Sequence, residues 1–163
     1  YKYDENGNKI EKNWYNYDGS LIDKNTYKYD EKGNNIEECW YDEDGSLHKK
    51  FTYKYDEKGN IIEEKYNSNS RFDYKNTYKY DEKGNKIEEN SYDSDGRLHS
   101  KYTYKYDEKG NNIEENWYDS DGSLYEKHTY KYEYDKNNNW IQRIEYKNTI
   151  PHRITARFIA YYP

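Results

Sequence analysis

The sequence predicts an all-β protein: an antiparallel up-and-down meander of about 13 strands, forming a single twisted, curling sheet that is either an open spiral or barrel-like. Three observations support this prediction. A tyrosine-rich unit recurs at a nearly fixed spacing, Gly-containing turns interrupt the chain at regular intervals, and residue types alternate between those turns. A fixed period of this length is typical of repeat architectures, in which each unit packs on its neighbours.

The repeat is about 26 residues long and extends through the chain. Its copies begin at Tyr1, Tyr27, Tyr53, Tyr78, Tyr104 and Tyr130, with spacings of 26, 26, 25, 26 and 26 residues. We therefore expect residues 1–163 to form a single repeat domain. The pattern breaks in residues 146–163, which are predicted to form a C-terminal cap. The repeat that begins at Tyr53 is one residue shorter than the others. The residue is lost near Asn67–Arg71, where an irregular turn is expected.

Each full repeat contains two turns of the same chemistry. The first reads Asp-Glu-Lys-Gly, as at Asp107–Gly110, and the second reads Asp-x-Asp-Gly, as at Asp119–Gly122. Asp at the first position and Gly at the fourth suit a type I turn that ends in a left-handed Gly with a bulge. Weaker signals at Asn69–Ser70, Asn137–Asn138 and Asn148 complete twelve turns, which imply thirteen strands and no helix.

Residue types alternate between the turns, as in Lys101–Tyr106 and Asn112–Tyr118. Counting outward from each turn predicts a strand register. The predicted pairs are Lys105–Ile113, Tyr104–Glu114, Thr103–Glu115, Tyr118–Leu124, Trp117–Tyr125, Glu115–Lys127, Glu38–Lys50, Glu89–Lys101, Tyr41–Leu47 and Tyr92–Leu98. This register places the tyrosines on one face of the sheet and Ile113 and Trp117 on the other. Every second strand has two extra residues, which predicts a stagger or a bulge.

The composition favours an ordered protein whose apolar contacts are mostly aromatic. The chain has 12 Ile and 4 Leu, lacks Val and Met, and is 37% charged, which alone would suggest disorder. However, it also contains 25 Tyr and 4 Trp. Each buried aromatic side chain covers about 150–250 Å², so tyrosine can replace the missing aliphatic residues.

Charge and residue usage exclude several classes of partner. The net charge is -6, and acidic and basic residues are finely interspersed, so we expect no nucleic-acid partner. No apolar run is long enough to span a bilayer, so the protein is not expected to be membrane-spanning. Cys39 is the single cysteine. It excludes an internal disulfide and leaves the redox compartment open.

The sequence offers little for catalysis or metal binding. The Asp42/Asp44 turn supplies too few oxygens for calcium, which needs six to eight, and turn formation already explains its Asp and Gly residues. Adjacent carboxylates such as Glu114 and Glu115 point to opposite faces of a strand and cannot converge as an acid–base pair. The four histidines lack metal-ligand spacing. We therefore expect no enzyme activity, no catalytic residue, no cofactor and no metal.

Aromatic side chains are the best candidates for ligand binding. Their rings could stack on the apolar faces of pyranoses while Asn, Asp and Glu bind hydroxyls. The alternative is that the rings hold together a sheet poor in aliphatic residues, since tyrosines recur in every repeat. Specificity is expected at positions where the repeats differ. For example, one repeat has Trp40 where the equivalent position of another repeat has Ser91. The candidate ligand-binding residues are Trp14, Trp40, Trp117, Tyr66 and Tyr125.

The recurring Tyr-Asp-x-x-Gly resembles the YD-repeat, or Rhs-repeat, family, and the likeness covers essentially the whole chain. It is carried by Tyr29–Gly33, Tyr41–Gly45, Tyr106–Gly110 and Tyr118–Gly122. The C-terminal segments Tyr134–Ile141 and Ile154–Tyr162 are similar to the closing part of short secreted members in Bacteroidetes-like bacteria. Large members form a hollow shell around a toxin, whereas others on cell surfaces are credited with carbohydrate or protein binding. This chain is too short for a full shell and shows no toxin segment.

The resemblance implies a non-catalytic binding or structural scaffold, secreted or in the cell envelope, that recognises glycans or proteins through an aromatic and polar face. The alternative is a fragment of a toxin-shell or toxin-delivery system of the Rhs type. Self-association through edge strands also remains open, because the short first strand, Tyr1–Tyr3, would leave unpaired backbone groups.

Overall fold

The computed structural model describes residues 1–68 and 73–160, and the regular secondary structure in these ranges is entirely β-strand. Each strand is hydrogen-bonded to the next in an antiparallel meander whose order ends at β1 and β13. The all-β prediction of thirteen strands is therefore confirmed, and the sheet of the described residues is open. The strands are β1 (Lys2–Tyr3), β2 (Lys9–Tyr15), β3 (Leu21–Tyr29), β4 (Asn35–Tyr41), β5 (Leu47–Tyr55), β6 (Ile61–Ser68), β7 (Tyr74–Tyr80), β8 (Lys86–Tyr92), β9 (Leu98–Tyr106), β10 (Asn112–Tyr118), β11 (Leu124–Tyr134), β12 (Trp140–Lys147) and β13 (Ile150–Ala156).

Contacts between Cα atoms divide the chain into two compact units. Unit 1 comprises Tyr1–Lys79 and Asn90–Leu98, and unit 2 comprises Tyr80–Glu89 and His99–Pro163. The single repeat domain over residues 1–163 stays a prediction, as does the C-terminal cap. The predicted turn at Asn69–Ser70 lies outside the described residues, as does most of the irregular segment expected at residues 67–71.

The Asp-Glu-Lys-Gly turns form as predicted. At Asp30–Gly33, the Gly33 N–H donates to the Asp30 carbonyl (3.0 Å), and the Asp30 N–H donates to the Asn34 carbonyl (3.0 Å). Asp30 Oδ1 also accepts the N–H groups of Lys32 (2.9 Å) and Asn34 (2.8 Å), and the side-chain hydrogen bond from Asn34 lowers the Asp30 pKa. Gly33 has φ +83°, a conformation that glycine adopts without a Cβ penalty.

The two weaker turns in the described C-terminal region also form. Asn138 takes the place of glycine with φ 61°, and its N–H donates to the Asp135 carbonyl (3.1 Å). Asn148 (φ 46°) and Thr149 (φ 74°) connect β12 to β13 as a two-residue loop, which requires positive φ at both positions when the turn is of type I′. Asn and short loops can therefore replace the Gly-containing turn.

A bulge beside each Gly-containing turn whose strand pairing is described makes much of the predicted register wrong. Tyr118 pairs with Leu124 and Tyr41 pairs with Leu47, as expected. Tyr125, which follows Leu124, is skipped in the strand pairing, so Trp117 pairs with Glu126 instead. Across the other kind of turn, Ile113 is skipped. The observed pairs are Lys105–Glu114, Tyr104–Glu115, Thr103–Asn116, Glu115–His128 and Glu38–Phe51. The pairs Glu89–Lys101 and Tyr92–Leu98 stay predictions.

The bulge corrects the predicted faces, because a one-residue slip moves every following side chain to the opposite face. In unit 2, Trp117 lies beside Tyr102 on the tyrosine side, with ring centroids 5.8 Å apart. Asn116 faces the other way and donates to Thr103 Oγ1 (3.3 Å). We call the side that carries Trp117 and Tyr102 in unit 2, and Trp40 and Phe51 in unit 1, the aromatic face. The opposite side is the ladder face.

Lysine–glutamate ladders stabilise the ladder face. Glu114 accepts Lys105 Nζ on one neighbouring strand (2.7 Å) and Lys127 Nζ on the other (2.7 Å), and these contacts lower the Glu114 pKa to about 2. Glu37 bridges Lys28 (2.6 Å) and Lys50 (2.7 Å) in the same way. One glutamate of each adjacent pair is thus matched to cross-strand lysines. It is Glu114 and Glu37, not the Glu115 and Glu38 that the predicted register placed opposite Lys127 and Lys50.

Tyrosine hydroxyls tie together the strand ends next to the Asp-Glu-Lys-Gly turns. Tyr106 donates to the Lys86 carbonyl (2.8 Å), and Tyr132 donates to the Asn112 carbonyl (2.9 Å). In unit 1, Tyr29 and Tyr55 make the same hydrogen bond to the carbonyls of Lys9 and Asn35. Because burial disfavours the charged phenolate, the pKa values of these tyrosines are raised.

No large side chain is completely enclosed in the described part of the chain. Cys39, 5% exposed, is the buried apolar residue there, and the buried polar residues include Asn25 on the aromatic face and Asn116 on the ladder face. Both sides of the sheet therefore remain in contact with water. Stability depends on partial burial of many rings together with cross-strand polar pairs.

The edge strand β13 exposes apolar side chains, with Ile150 69% and Ile154 66% exposed. It also contains Pro151, Arg153 and a register shift opposite Glu145 and Tyr146. Proline, charge and bulges all oppose edge-to-edge pairing. Self-association through the sheet edges stays a prediction.

We predict that Tyr106→Phe lowers the free energy of unfolding by about 1 kcal/mol, because it leaves the Lys86 carbonyl without the hydroxyl donor. Urea unfolding followed by circular dichroism measures the change. Tyr125→Phe removes a hydroxyl from a side chain that is 64% exposed and serves as the matched control. Equal losses in the two variants would contradict a specific role for the Tyr106 hydroxyl.

Candidate functional site

A groove on the aromatic face of unit 1 is the best candidate site. It has a volume of about 510 Å³, within the range of about 300–1,000 Å³ typical of ligand clefts. Strands β2, β3, β4 and β5 contribute its walls and floor. The groove is lined by Lys12, Trp14, Asp23, Asn25, Trp40, Tyr41, Asp42, His48 and Lys49.

The groove exists because β3 has a small side chain at a position where the next repeat has a ring. Asn25 of β3 lies directly opposite Trp40 and one step diagonal from Trp14. The residue 26 positions later is Phe51, whose ring lies 5.8 Å from Trp40 and 5.0 Å from Tyr66. Asn25 therefore leaves open the space that an aromatic ring fills in the next repeat.

Hydrogen bonds hold the floor and one wall of the groove in place. Trp40 Nε1 donates to Glu38 Oε1 (2.6 Å). With its amide turned by 180°, buried Asn25 donates to the Lys24 carbonyl (3.2 Å) and accepts from Trp40 Nε1 (3.2 Å). In this orientation both ends of the amide have a partner, and the single Trp40 N–H is shared between Glu38 and Asn25. The Trp40 indole is thus fixed before any ligand arrives.

Lysine ammonium groups lie over both indoles. Lys12 Nζ is 3.9 Å from the Trp14 ring centroid, and Lys49 Nζ is 4.9 Å from that of Trp40. Each such cation–π contact is worth about 0.5–1 kcal/mol at an exposed site. At the rim, His48 Nδ1 lies 3.6 Å from Asp42 Oδ2. The groove thus combines two indoles with groups of both charges.

An aromatic run continues from the groove along unit 1. The ring centroids of Phe51 and Tyr66 are 5.0 Å apart, and Tyr66 stacks on Tyr74 at 5.0 Å. Next to this run, burial raises the pKa of Tyr53 to about 12. Tyr66 is therefore held between neighbouring rings, and it extends the surface that begins at Trp40.

The corresponding positions in unit 2 carry a buried charge cluster. His128 stacks on Trp117 with ring centroids 5.1 Å apart. Its Nε2 contacts Glu126, and its Nδ1 lies 3.0 Å from Glu145 Oε1. Lys147 Nζ lies 2.6 Å from the other Glu126 oxygen, and this contact, with that of His128, lowers the Glu126 pKa. Glu126 and His128 are 6% and 7% exposed.

The contacts of this cluster indicate a structural role and not proton transfer to a ligand. Both ring nitrogens of His128 contact carboxylates, so neither is directed at an open site. Such an arrangement requires protons on both nitrogens, or on one nitrogen and a carboxyl group. Across the described ranges, no group of three or more His, Cys, Asp or Glu side chains is arranged to hold a metal ion.

The structure brings together two of the five predicted ligand-binding residues. Trp14 and Trp40 line the groove, and Tyr66 lies farther along the same face of unit 1. Trp117 belongs to unit 2 and is half-buried, with an Nε1 that lacks a hydrogen-bond partner among the described residues. Tyr125 is 64% exposed at a bulge. Trp14, Trp40 and Trp117 are each half-buried.

Several groove residues were missed in the sequence. Asn25, Asp23, Lys12 and Lys49 are unremarkable in type, and their contribution depends on the register shift that places them on the aromatic face. One signal was available. The position two residues before each repeat start holds a ring at Phe51, Tyr102 and His128 but asparagine at positions 25 and 76, which marks two missing rings. Of the two, Asn25 is the one whose neighbours are tryptophans, Trp14 and Trp40.

Comparisons with known proteins leave the family unassigned. No protein-family model matches the chain, and no curated protein sequence matches it. A crystal structure of TcdB2-TccC3 without its hypervariable C-terminal region is 15% identical, with a TM-score of 0.47, and the match covers 93% of this chain and 11% of that one. A porin-like protein from Bacteroides uniformis is 12% identical, with a TM-score of 0.37, covering 89% and 88% of the two chains.

With TM-scores below 0.5, neither likeness carries an argument about function. The chain spans about 11% of the length of the TcdB2-TccC3 chain that it resembles. Within the part of the chain that is described, no helix has the length and apolar character needed to cross a bilayer.

We predict that Glu126→Gln destabilises the protein at pH 7 and that its difference from the wild type shrinks as the pH falls. The Glu126 pKa is lowered by folding, so its contribution is present above the unfolded value of about 4.5 and is lost as the pH falls toward the lower folded value. Urea midpoints at pH 7 and pH 3 measure this. Glu133→Gln, on the exposed part of β11, is the control and should match the wild type at both pH values. A Glu126→Gln effect equally large at both pH values would contradict the ionic role.

Proposed function

We propose that this chain is a YD-repeat scaffold that binds glycan or protein ligands through its aromatic face, without catalysis, in a secreted or cell-envelope setting. The observation that carries this proposal is the groove at Trp14 and Trp40, which opens onto the run formed by Phe51, Tyr66 and Tyr74. Aromatic surface of this kind provides contact area with little loss of side-chain entropy.

The groove supports binding more than a purely structural role for the rings. If the rings had a purely structural role, position 25 would be expected to hold an aromatic residue, as position 51 holds Phe51. Such a ring would bury more apolar area on both neighbours. The open position instead leaves the indoles of Trp14 and Trp40 lining a cleft together with Asp23 and Lys49. A few polar groups converging on an apolar cleft are typical of ligand sites.

The arrangement of polar groups supports a non-catalytic function. His48 at the rim contacts Asp42, but no serine, threonine or cysteine lines the described groove beside it. The buried imidazole of His128 belongs to the other unit and is enclosed by carboxylates. Recognition by stacking and hydrogen bonding is therefore the mechanism that we propose, with an extended surface as in other repeat proteins.

A glycan array and affinity capture of cell-surface proteins test this proposal with purified protein. We expect a ligand whose affinity falls at least tenfold in Trp40→Ala and in Tyr66→Ala, because each variant removes a ring from the aromatic face. Tyr17→Ala is the control, since Tyr17 lies fully exposed in a turn of the same unit.

Two outcomes would contradict the proposal. The first is that neither the glycan array nor the protein capture yields a ligand. The second is a ligand whose affinity is unchanged in Trp40→Ala and Tyr66→Ala. A toxin gene adjacent to the gene for this chain would instead favour the toxin-shell alternative.

A further inference from the structure

The groove has an empty ring position at Asn25, and two tryptophans flank it. Phe51 shows what occupies that position in the next repeat: a flat ring 5.8 Å from Trp40 on one side and 5.0 Å from Tyr66 on the other. By the same register, a ring placed above Asn25 would have Trp14 and Trp40 as its two neighbours. The chain thus contains an internal template for a ring between two aromatic side chains.

We infer that the space above Asn25 is a binding subsite for one pyranose ring, held between Trp14 and Trp40 in the place that Phe51 takes in the next repeat. This inference rests on the proposed binding function and specifies its ligand class. The C–H groups of a pyranose can contact the two indoles, as the tilted ring of Phe51 contacts its neighbours. Its hydroxyls project from the ring edge toward the polar side chains of the groove.

The polar lining favours a hydroxylated ring over an aromatic side chain of a partner protein. Asp23, Lys12 and Lys49 all line the groove. An inserted phenyl ring would remove water from these charged groups and return no hydrogen bond, which is unfavourable. A pyranose offers both donors and acceptors at its edge. Asp23 can accept from a hydroxyl, and the two ammonium groups can donate to one.

The two lysines also affect whether a neutral or a negatively charged sugar binds better. Their ammonium groups lie over the indoles that would contact the ring. On binding, each lysine must move off its indole or donate to a group at the edge of the sugar. A uronate carboxylate would give the ammonium groups a charged acceptor, whereas a neutral sugar would give them hydroxyls alone. Uronates and neutral sugars both contain the pyranose ring, and the experiment distinguishes between these two classes of sugar.

The test uses isothermal titration calorimetry with cellohexaose, chitohexaose and α-1,4-linked hexagalacturonate against the whole chain. We expect at least one of the three to bind, with an affinity that falls more than tenfold in Asn25→Phe. That variant places in the groove the ring found at Phe51, so its melting temperature should equal or exceed that of the wild type. Asn76→Phe makes the same substitution at the equivalent repeat position of β7 and should leave the affinity unchanged.

Tighter binding of hexagalacturonate supports recognition of a carboxylate by the lysines, and equal binding supports recognition through hydroxyls. If Asn25→Phe does not fold, Trp14→Ala removes one wall of the subsite and should give the same loss. The inference is overturned if no hexasaccharide binds, or if binding survives a folded Asn25→Phe. A protein ligand that depends on Trp40, found when all three sugars fail, would overturn this inference and leave the proposed function standing.

Discussion

The bulge beside each turn determines which side chains share a face of this sheet. A type I turn that ends in a left-handed residue is followed by one unpaired position, such as Ile113 or Tyr125, before regular pairing resumes. That single residue brings Trp117 to the side of Tyr102 and Glu114 to the side of Lys105. Without it, the aromatic rings would be divided between both faces, and Lys127 would face Glu115 instead of Glu114.

This register allows a sheet without a dry interior to be stable. On the ladder face, Glu37 and Glu114 each have a lysine on both neighbouring strands, and on the aromatic face, rings cover one another from strand to strand. Tyrosine hydroxyls then satisfy backbone carbonyls near the turns. Individually these contacts are weak, but they recur along the chain, as expected for a repeat protein stabilised by nearest-neighbour interfaces.

The sequence was sufficient for the strand count, the turn chemistry and the meander, because Asp and Gly at fixed positions specify turns locally. It was insufficient for the register, since counting outward from each turn did not include the position that is skipped after the first pair, such as Ile113 or Tyr125. The groove was missed for the same reason. Lys12 and Asn25 join Trp14 and Trp40 only after the shift, and the cluster of Glu126, His128 and Lys147 depends on side chains that approach from different strands.

Cross-strand nuclear Overhauser effects between β9 and β10 test the shifted register most directly. The account predicts backbone contacts between Tyr102 and Trp117 and between Lys105 and Glu114, with Ile113 unpaired. Contacts between Lys105 and Ile113, together with Tyr104 and Glu114, would contradict it. That result would return Trp117 to the face opposite the tyrosines and would remove the physical basis for an aromatic binding face.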